Sequence, residues 1–335
     1  MRKVLVTGGA GYIGSHTCKA LAAAGYTPVA YDNLVSGHRR AVQWGPFEHG
    51  DVLDQARLDE VIAAHKPDAV LHFSAFAYVG ESVVNPGKYY RNNVAGSLAL
   101  LQAMQRRGID RMVFSSSCAV YGVPDQLPIT EQTPRKPINP YGMSKFMVEQ
   151  MLADFQVAYG LQWVALRYFN AAGADPDGEI GEDHDPETHV IPLILETVAG
   201  LRKSVTIMGT DYDTPDGTCV RDYVHVSDLA DAHVQALAAL ENGFRPGALN
   251  LGVGKGHSVR EVIGAVERVA GCKVPVVTGP RREGDPAILV SDARRARDVL
   301  GWKPRFPRLD DIVRSAWNWQ QKKLRASSAW TRGPG

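Results

Sequence analysis

In the segment NPYGMSK, Tyr141 and Lys145 stand four residues apart where an amphipathic stretch begins, so a helix there would carry both side chains on one face. A tyrosine with a solution pKa of about 10 is a weak base at neutral pH and needs positive charge nearby before its phenolate can take a proton. Lys145 offers that charge, which suits the pair to removing the proton of a hydroxyl group. Upstream, FSSSCAVYG closes an apolar run with three serines, of which Ser117 could hydrogen-bond the same hydroxyl. In isolation, a tyrosine and a lysine at this spacing are as readily a surface tyrosine beside a solvated amine. Their place behind a glycine loop and a serine run is what gives the pair weight.

That glycine loop opens the chain. Val4, Leu5 and Val6 run directly into TGGAGYIGSH, which sets Gly8, Gly11 and Gly14 at the mouth of a helix. Glycines there admit a tight turn and let the backbone approach a pyrophosphate, while the helix N–H groups and dipole meet its charge. The loop is answered by Asp32 at the end of the next apolar run, eighteen residues past Gly14. Asp32 can accept hydrogen bonds from ribose hydroxyls and would repel a 2′-phosphate, so NAD is expected rather than NADP. An oxidised nicotinamide ring would then be a second positive charge beside Tyr141. Asp51, after the run in FEHGDV, could reach the adenine, although alone it would pass as a turn residue.

The elements that must position these residues alternate. Lys3 to Thr7, Pro28 to Tyr31, Ala69 to Phe73, Met112 to Ser115 and Trp163 to Leu166 read as buried strands. His16 to Ala24, Val94 to Gln105 and Met143 to Tyr159 read as helices between them. The pattern predicts an α/β chain with a Rossmann-type doubly wound parallel sheet, whose ligands collect at the carboxyl ends of the strands. Past Tyr168 a Gly/Asp/Glu/His-rich stretch, Ala171 to His189, joins it to a second part. There a helix is expected over Ile191 to Ala199, a strand near Val205 to Met208, a helix over Ser227 to Leu240, and another starting at Ser258. Ser258 and Glu261 form a capping box. The last residues, Arg325 to Gly335, show little periodicity and are expected to fray. The division expected is a dinucleotide-binding domain over 1–169, with returning segments near 220–252, and a smaller C-terminal α/β substrate-binding lobe over 170–335.

Composition sets the outer limits. A chain of 335 residues, 44% hydrophobic and 22% charged, can bury its own core. A formal net charge of +1 argues against nucleic acid as partner. No signal-peptide pattern and no long apolar run stand out, so no membrane partner and a cytoplasmic location are expected. Cys18, Cys118, Cys219 and Cys272 lack any paired spacing, so neither a metal site nor a redox dithiol is expected, and Cys118 reads as packing.

Together these residues resemble the extended short-chain dehydrogenase/reductase superfamily, and within it the UDP-glucose 4-epimerase family. TGGAGYIGSH, YDNL, VGESV, YYRNNV, SSSCAVYG, NPYGMSK, RYFNAAGA, DGTCVRDYVHVSDLADAH, NLGVG and RREGDP follow that family's order along nearly the whole chain. The resemblance implies Ser117, Tyr141 and Lys145 as the catalytic trio. It implies contacts with NAD from Gly8, Gly11, Tyr12, Ile13, Gly14, Asp32, Asn33, Asp51, Val52, Phe73, Asn92, Tyr141, Lys145 and Tyr168. For a UDP-sugar substrate it implies Ser117, Tyr141, Asn170, Arg221, Arg282 and Asp285, where arginine forks suit a diphosphate and a carboxylate suits ribose hydroxyls. Without it, Arg221 beside Asp222 and Arg282 beside Glu283 would read as surface ion pairs. The implied activity is interconversion of UDP-glucose and UDP-galactose, as in galactose metabolism. Tyr141 would deprotonate the 4-hydroxyl, NAD would take the C4 hydride and return it to the opposite face, and the cofactor would stay bound between turnovers. A homodimer through the helices Val94 to Gln105 and Met143 to Tyr159 is also implied.

Three positions depart from the family pattern or fall between its alternatives. Ala77 stands where many members have lysine, and His189 where many have asparagine near the diphosphate. Leu289, at the position that helps set sugar-pocket width, is neither a bulky tyrosine nor a small residue. UDP-xylose/UDP-arabinose and UDP-N-acetylglucosamine 4-epimerases are therefore alternatives. A sugar-nucleotide dehydratase would need an acidic residue where Cys118 and Ala119 stand, and a nonenzymatic NAD-binding sensor would often have lost the Tyr/Lys pair.

Overall fold

A computed structural model describes residues 2–243, 247–282 and 285–331. The first half alternates as its apolar runs demand: β1 (Lys3–Thr7), α1 (Tyr12–Ala23), β2 (Thr27–Asp32), β3 (Phe47–His49), α2 (Gln55–His65) and β4 (Ala69–His72). Two short helices follow, α3 (Val79–Val84) and α4 (Pro86–Tyr89), then a π-helical turn (Tyr90–Ala95), α5 (Gly96–Arg107), β5 (Arg111–Ser115), α6 (Pro140–Tyr159) and β6 (Gln162–Tyr168). The second half contributes β7 (Asn170–Ala172), α7 (Val190–Val198), β8 (Val205–Met208), β9 (Val220–His225), α8 (Val226–Glu241) and β10 (Gly247–Leu251). It ends with β11 (Gly256–Ser258), α9 (Val259–Ala270), β12 (Val276–Gly279), β13 (Ile288–Leu289), α10 (Arg294–Leu300) and α11 (Leu309–Thr331).

The main sheet has seven strands in the order β10-β6-β5-β4-β1-β2-β3, all paired in parallel. Its strands are apolar on both sides because both faces are covered. On one face Cys18 and Leu21 of α1 pack with Leu229, Ala236 and Leu240 of α8. On the other, Leu58 of α2, Leu100 of α5 and Val148 and Leu152 of α6 close a second core. The order of strands reverses between β1 and β4, and the crevice outside their carboxyl ends is where a doubly wound sheet binds ligands.

β10, late in the chain, returns to this sheet beside β6, while β9 stays in a smaller sheet with β11, β13 and β7. A third core, with Ile194 of α7, Ile207 of β8, Val262 of α9 and Val313 of α11, supports that part. The capping box is formed: Ser258 accepts from the Glu261 N–H and Glu261 returns a bond to the Ser258 N–H.

Two sequence expectations are corrected. The region from Arg325 continues α11 as far as Thr331, because Asp310, Asp311, Ile312, Val313 and Ala316 launch a long helix whose apolar stripe docks on α9. Residues 332–335 lie outside the described residues. Helix α6 begins at Pro140 rather than Met143, with proline in the first turn and the Asn139 side chain accepting from the Gly142 N–H at 2.8 Å. That start places Tyr141 in the helix itself.

Candidate active site

Helix α1 is built to receive an anion. Its N-cap, Gly11, has no side chain to satisfy the first-turn N–H groups, which are left for a ligand. Loop and first helical turn press together where two glycines stand: a Cβ on Gly14 would lie 2.1 Å from the Gly8 carbonyl oxygen. Gly8 itself has φ +74°, and a Cβ there would meet the Ser74 nitrogen at 2.8 Å. Gly8 thus closes β1 against the end of β4, at the sheet's switch point.

Beside the loop, the buried Asp32 carboxylate accepts from the Ala10 N–H at 3.0 Å and the Leu34 N–H at 2.8 Å. Burial raises its pKa, opposed by these two backbone bonds. Asn33 donates to Asp51 Oδ2 at 2.9 Å, which ties the ends of β2 and β3 together. Val52 is buried with its side chain against Gly96, so its role among the described residues is packing. Tyr12 and Ile13 occupy the start of α1 and are half-buried, and the Tyr12 hydroxyl donates to the Gly173 carbonyl at 2.6 Å, linking the loop to the second half of the chain. These groups fit a dinucleotide: an uncapped helix, a glycine-rich turn, and a carboxylate one strand away.

At the next strand ends, Phe73 packs on His233 with ring centroids 4.6 Å apart, and the Tyr168 hydroxyl pairs with Ser115 Oγ at 2.8 Å. Asn92 lies in the π-helical turn and donates to Asn93 Oδ1 at 3.0 Å. Such turns inside helices recur at functional sites.

Tyr141 and Lys145 share the buried face of α6, and Ser117 lies close enough to Tyr141 to favour its ionised form. Lys145 Nζ lies 6.0 Å from the Tyr141 ring centroid and donates to the Ser115 carbonyl at 2.8 Å. Burial pushes Tyr141 up and pulls Lys145 down to about 7. The chain alone therefore leaves Tyr141 harder to ionise than free tyrosine, and a further positive charge is needed to populate its phenolate. Cys118 is buried and pushed to about 12, as a packing residue would be.

Sequence reading missed what holds this face. Ser116 donates to Glu149 Oε1 at 2.6 Å, and Arg167 grips the same carboxylate at 2.9 and 2.6 Å. Glu149 is one helical turn beyond Lys145, and that spacing was the available signal.

On the substrate side, Arg221 is buried and its fork donates to Asp285 at 2.5 Å and to the Pro286 and Val220 carbonyls at 2.7 Å. It is an internal group rather than a surface partner of Asp222, which is buried separately and accepts from Val253, Gly254 and Ser291. Asn170 starts β7, half-buried, directly after the Tyr168 end of β6. Arg282 is exposed and its charge acts on Cys219 and His189; Glu283 lies outside the described residues. His189 caps the start of α7 and pairs with Glu187 at 2.8 Å. Burial works against its charge, yet the Glu187 bond and the charges of Glu182 and Glu187 leave its pKa raised. Ala77 is exposed. Leu289, in β13, packs half-buried against the cluster that holds Cys118, Val120, Tyr121, Ile129 and Phe169. No helix among the described residues is long and apolar enough to cross a membrane.

A doubly wound sheet, an anion-ready glycine loop and a buried Tyr–Lys pair define a class, and residues 4–252 match the model of the NAD dependent epimerase/dehydratase family: the chain belongs to that family. It is similar to the UDP-glucose 4-epimerase of Rhizobium leguminosarum bv. trifolii, 56% identical over 95% of this chain and 97% of that protein. Among solved structures it is similar to UDP-glucose 4-epimerase from Brucella ovis in complex with NAD, with TM-score 0.92, 54% identity, and coverage of 95% of this chain and 98% of that one. It is also similar to UDP-glucose 4-epimerase from Stenotrophomonas maltophila with bound NAD and formylated UDP-arabinopyranose, with TM-score 0.94, 44% identity, and coverage of 97% and 100%.

Proposed function

We propose that this chain interconverts UDP-glucose and UDP-galactose by inverting carbon 4 of the sugar, with NAD held at the glycine loop. The observation that carries the reading is the placement of Tyr141 and Lys145 together on the buried face of α6, with Lys145 held on the Ser115 carbonyl, at the strand ends where the glycine loop and Asp32 also converge. NAD supplies the hydride acceptor and a positive ring charge when bound. The chain supplies the rest. Tyr141 takes the proton of the sugar 4-hydroxyl, Ser117 shares that hydroxyl, and Lys145 adds the charge that makes a phenolate attainable. Arg221, Arg282, Asp285 and Asn170 hold the UDP moiety, so the 4-keto sugar turns over while its nucleotide stays anchored. Arg221 and Asp285 are already joined, which fits a preformed clamp rather than one assembled around the substrate.

We read the chain as a cytoplasmic enzyme of galactose metabolism or polysaccharide supply, working as a homodimer. Exposed Leu98 on α5 and Met147 and Val157 on α6 support pairing through those helices. The sugar range is the open choice at Leu289, whose branched side chain lies in the cluster that carries Cys118, next to Ser117. Purified protein given UDP-galactose, UDP-xylose and UDP-N-acetylglucosamine in turn, without added NAD, tests the reading by chromatography of the epimers. Conversion of UDP-galactose ahead of the other two is expected. Faster conversion of UDP-xylose or UDP-N-acetylglucosamine would move the assignment to that sugar, and no conversion even with NAD supplied would reject an epimerase.

A further inference from the structure

Consecutive serines at the end of β5 face successive turns of α6. The Ser115 carbonyl receives Lys145, the Ser116 hydroxyl binds Glu149, and Ser117 lies beside Tyr141. The helical partners lie four residues apart, so one face of α6 is registered against one strand end.

Within this register Glu149 is the member that touches nothing reactive, yet it is the most firmly fixed. It is 2% exposed, and its carboxylate takes Arg167 through two nitrogens as well as Ser116. Arg167 in turn donates to the Tyr121 hydroxyl at 2.8 Å, and that hydroxyl donates to Asn250 Oδ1 at 2.6 Å. A buried ion pair is weak evidence of stability, since apolar side chains of the same volume often do as well. Its placement one turn from a buried ammonium gives it another use.

We propose that Glu149, fixed by Arg167 and Ser116, is a positioning residue for the epimerisation: its carboxylate supplies the negative charge against which Lys145 stays an ammonium. The proposal rests on the function assigned above. The other groups facing Lys145 do not supply this charge. His72 on β4 is neutral, bonded to Thr7 and Ser97. Tyr168 on β6 is a neutral phenol bonded to Ser115, Phe114 on β5 offers only its ring face at 4.9 Å, and Tyr141 is the group being served. Arg135 approaches Glu149 from the exposed side at 3.9 Å. Burial pulls Lys145 down to about 7, and the Glu149 charge is what opposes it.

The test is the pH profile of kcat for UDP-galactose, measured on holoenzyme for the wild type, Glu149→Gln, and the double variant Glu149→Gln/Arg167→Met, which leaves no buried charge unpaired. In Glu149→Gln Lys145 loses its proton earlier, so the basic limb moves about one unit toward acid, and in the double variant, which also loses the Arg167 charge, it moves the same way by less. Turnover of Glu149→Gln near pH 8 then drops roughly tenfold while turnover near pH 6 drops only about twofold. A second readout needs no turnover: the phenolate absorbance that disappears in Tyr141→Phe rises at higher pH in both variants than in the wild type. A folded double variant with the wild-type profile and wild-type phenolate titration would overturn the proposal and leave Glu149 as a structural partner of Arg167. A wild type that fails to epimerise strikes the function assigned above, and the phenolate titration then still decides the role of Glu149.

Discussion

Tyr141 owes its chemistry to two opposing influences on one phenol. Burial makes it harder to ionise than tyrosine in water, while Ser117 acts the other way, and a positive charge close by would add to that. A group in that position removes a proton only when its surroundings are complete, which keeps the reaction tied to bound substrate and cofactor. Replacing Tyr141 with phenylalanine removes the proposed base but leaves the packing of α6 intact, since the ring stays and Lys145 keeps its bond to Ser115. Tyr141→Phe is expected to fold, to retain NAD, and to lose epimerisation by about 10²- to 10⁴-fold. Assay of turnover beside a measurement of bound NAD checks this, and turnover within a few-fold of the wild type would show that another group takes the proton.

The glycine loop and α1 act as a single element. Gly14 sits inside the first turn, against the Gly8 carbonyl, and no rotation of a side chain relieves a Cβ 2.1 Å from a backbone oxygen. Gly14→Ala must push the loop away from the helix start, so the variant is expected to be purified with little NAD while its main sheet remains folded. Absorbance of cofactor released on denaturation measures this, and wild-type NAD content would mean that the loop is not the anchor.

Elements of this kind were readable from sequence because each carries a local signature: a buried apolar run into a glycine turn, an acidic residue at the next strand end, a capping box at Ser258 and Glu261. What sequence reading missed depends on contacts distant along the chain. Glu149 and Arg167 belong to separate elements, and nothing in either segment says that they share a buried carboxylate. The same holds for Arg221 and Asp285, whose pairing needs β9 and β13 side by side. Helix α11 was overlooked because its C-terminal residues lack apolar periodicity, while the docking of its first turns on α9 was invisible without the third core.

The whole molecule buries four neutral histidines, in β4, α1, α8 and β9. His16 and His233 are pulled down to about 4, and His72 and His225 to about 3, each chiefly by burial. In the unfolded chain they would take protons near pH 6.5. Between that value and the folded values the unfolded state binds more protons, so stability falls as pH falls. Each histidine costs at most about 1.4 kcal/mol per pH unit within its window. Buried carboxylates raised by desolvation, Asp32, Asp222 and Asp228, act in the opposite sense. The net expectation is a urea midpoint, at saturating NAD, that drops steadily from pH 7 to about pH 5; a midpoint constant across that range would show that these histidines are not held neutral by the fold.

At the level of the intact enzyme, the central claim is that the hydrogen taken from carbon 4 never leaves the site before it is returned to the same carbon. UDP-galactose carrying deuterium at carbon 4 can be converted in ordinary water by the protein as purified, and the product examined by NMR and mass spectrometry. The account predicts UDP-glucose that keeps its deuterium at carbon 4. UDP-glucose with that deuterium washed out into solvent would contradict it.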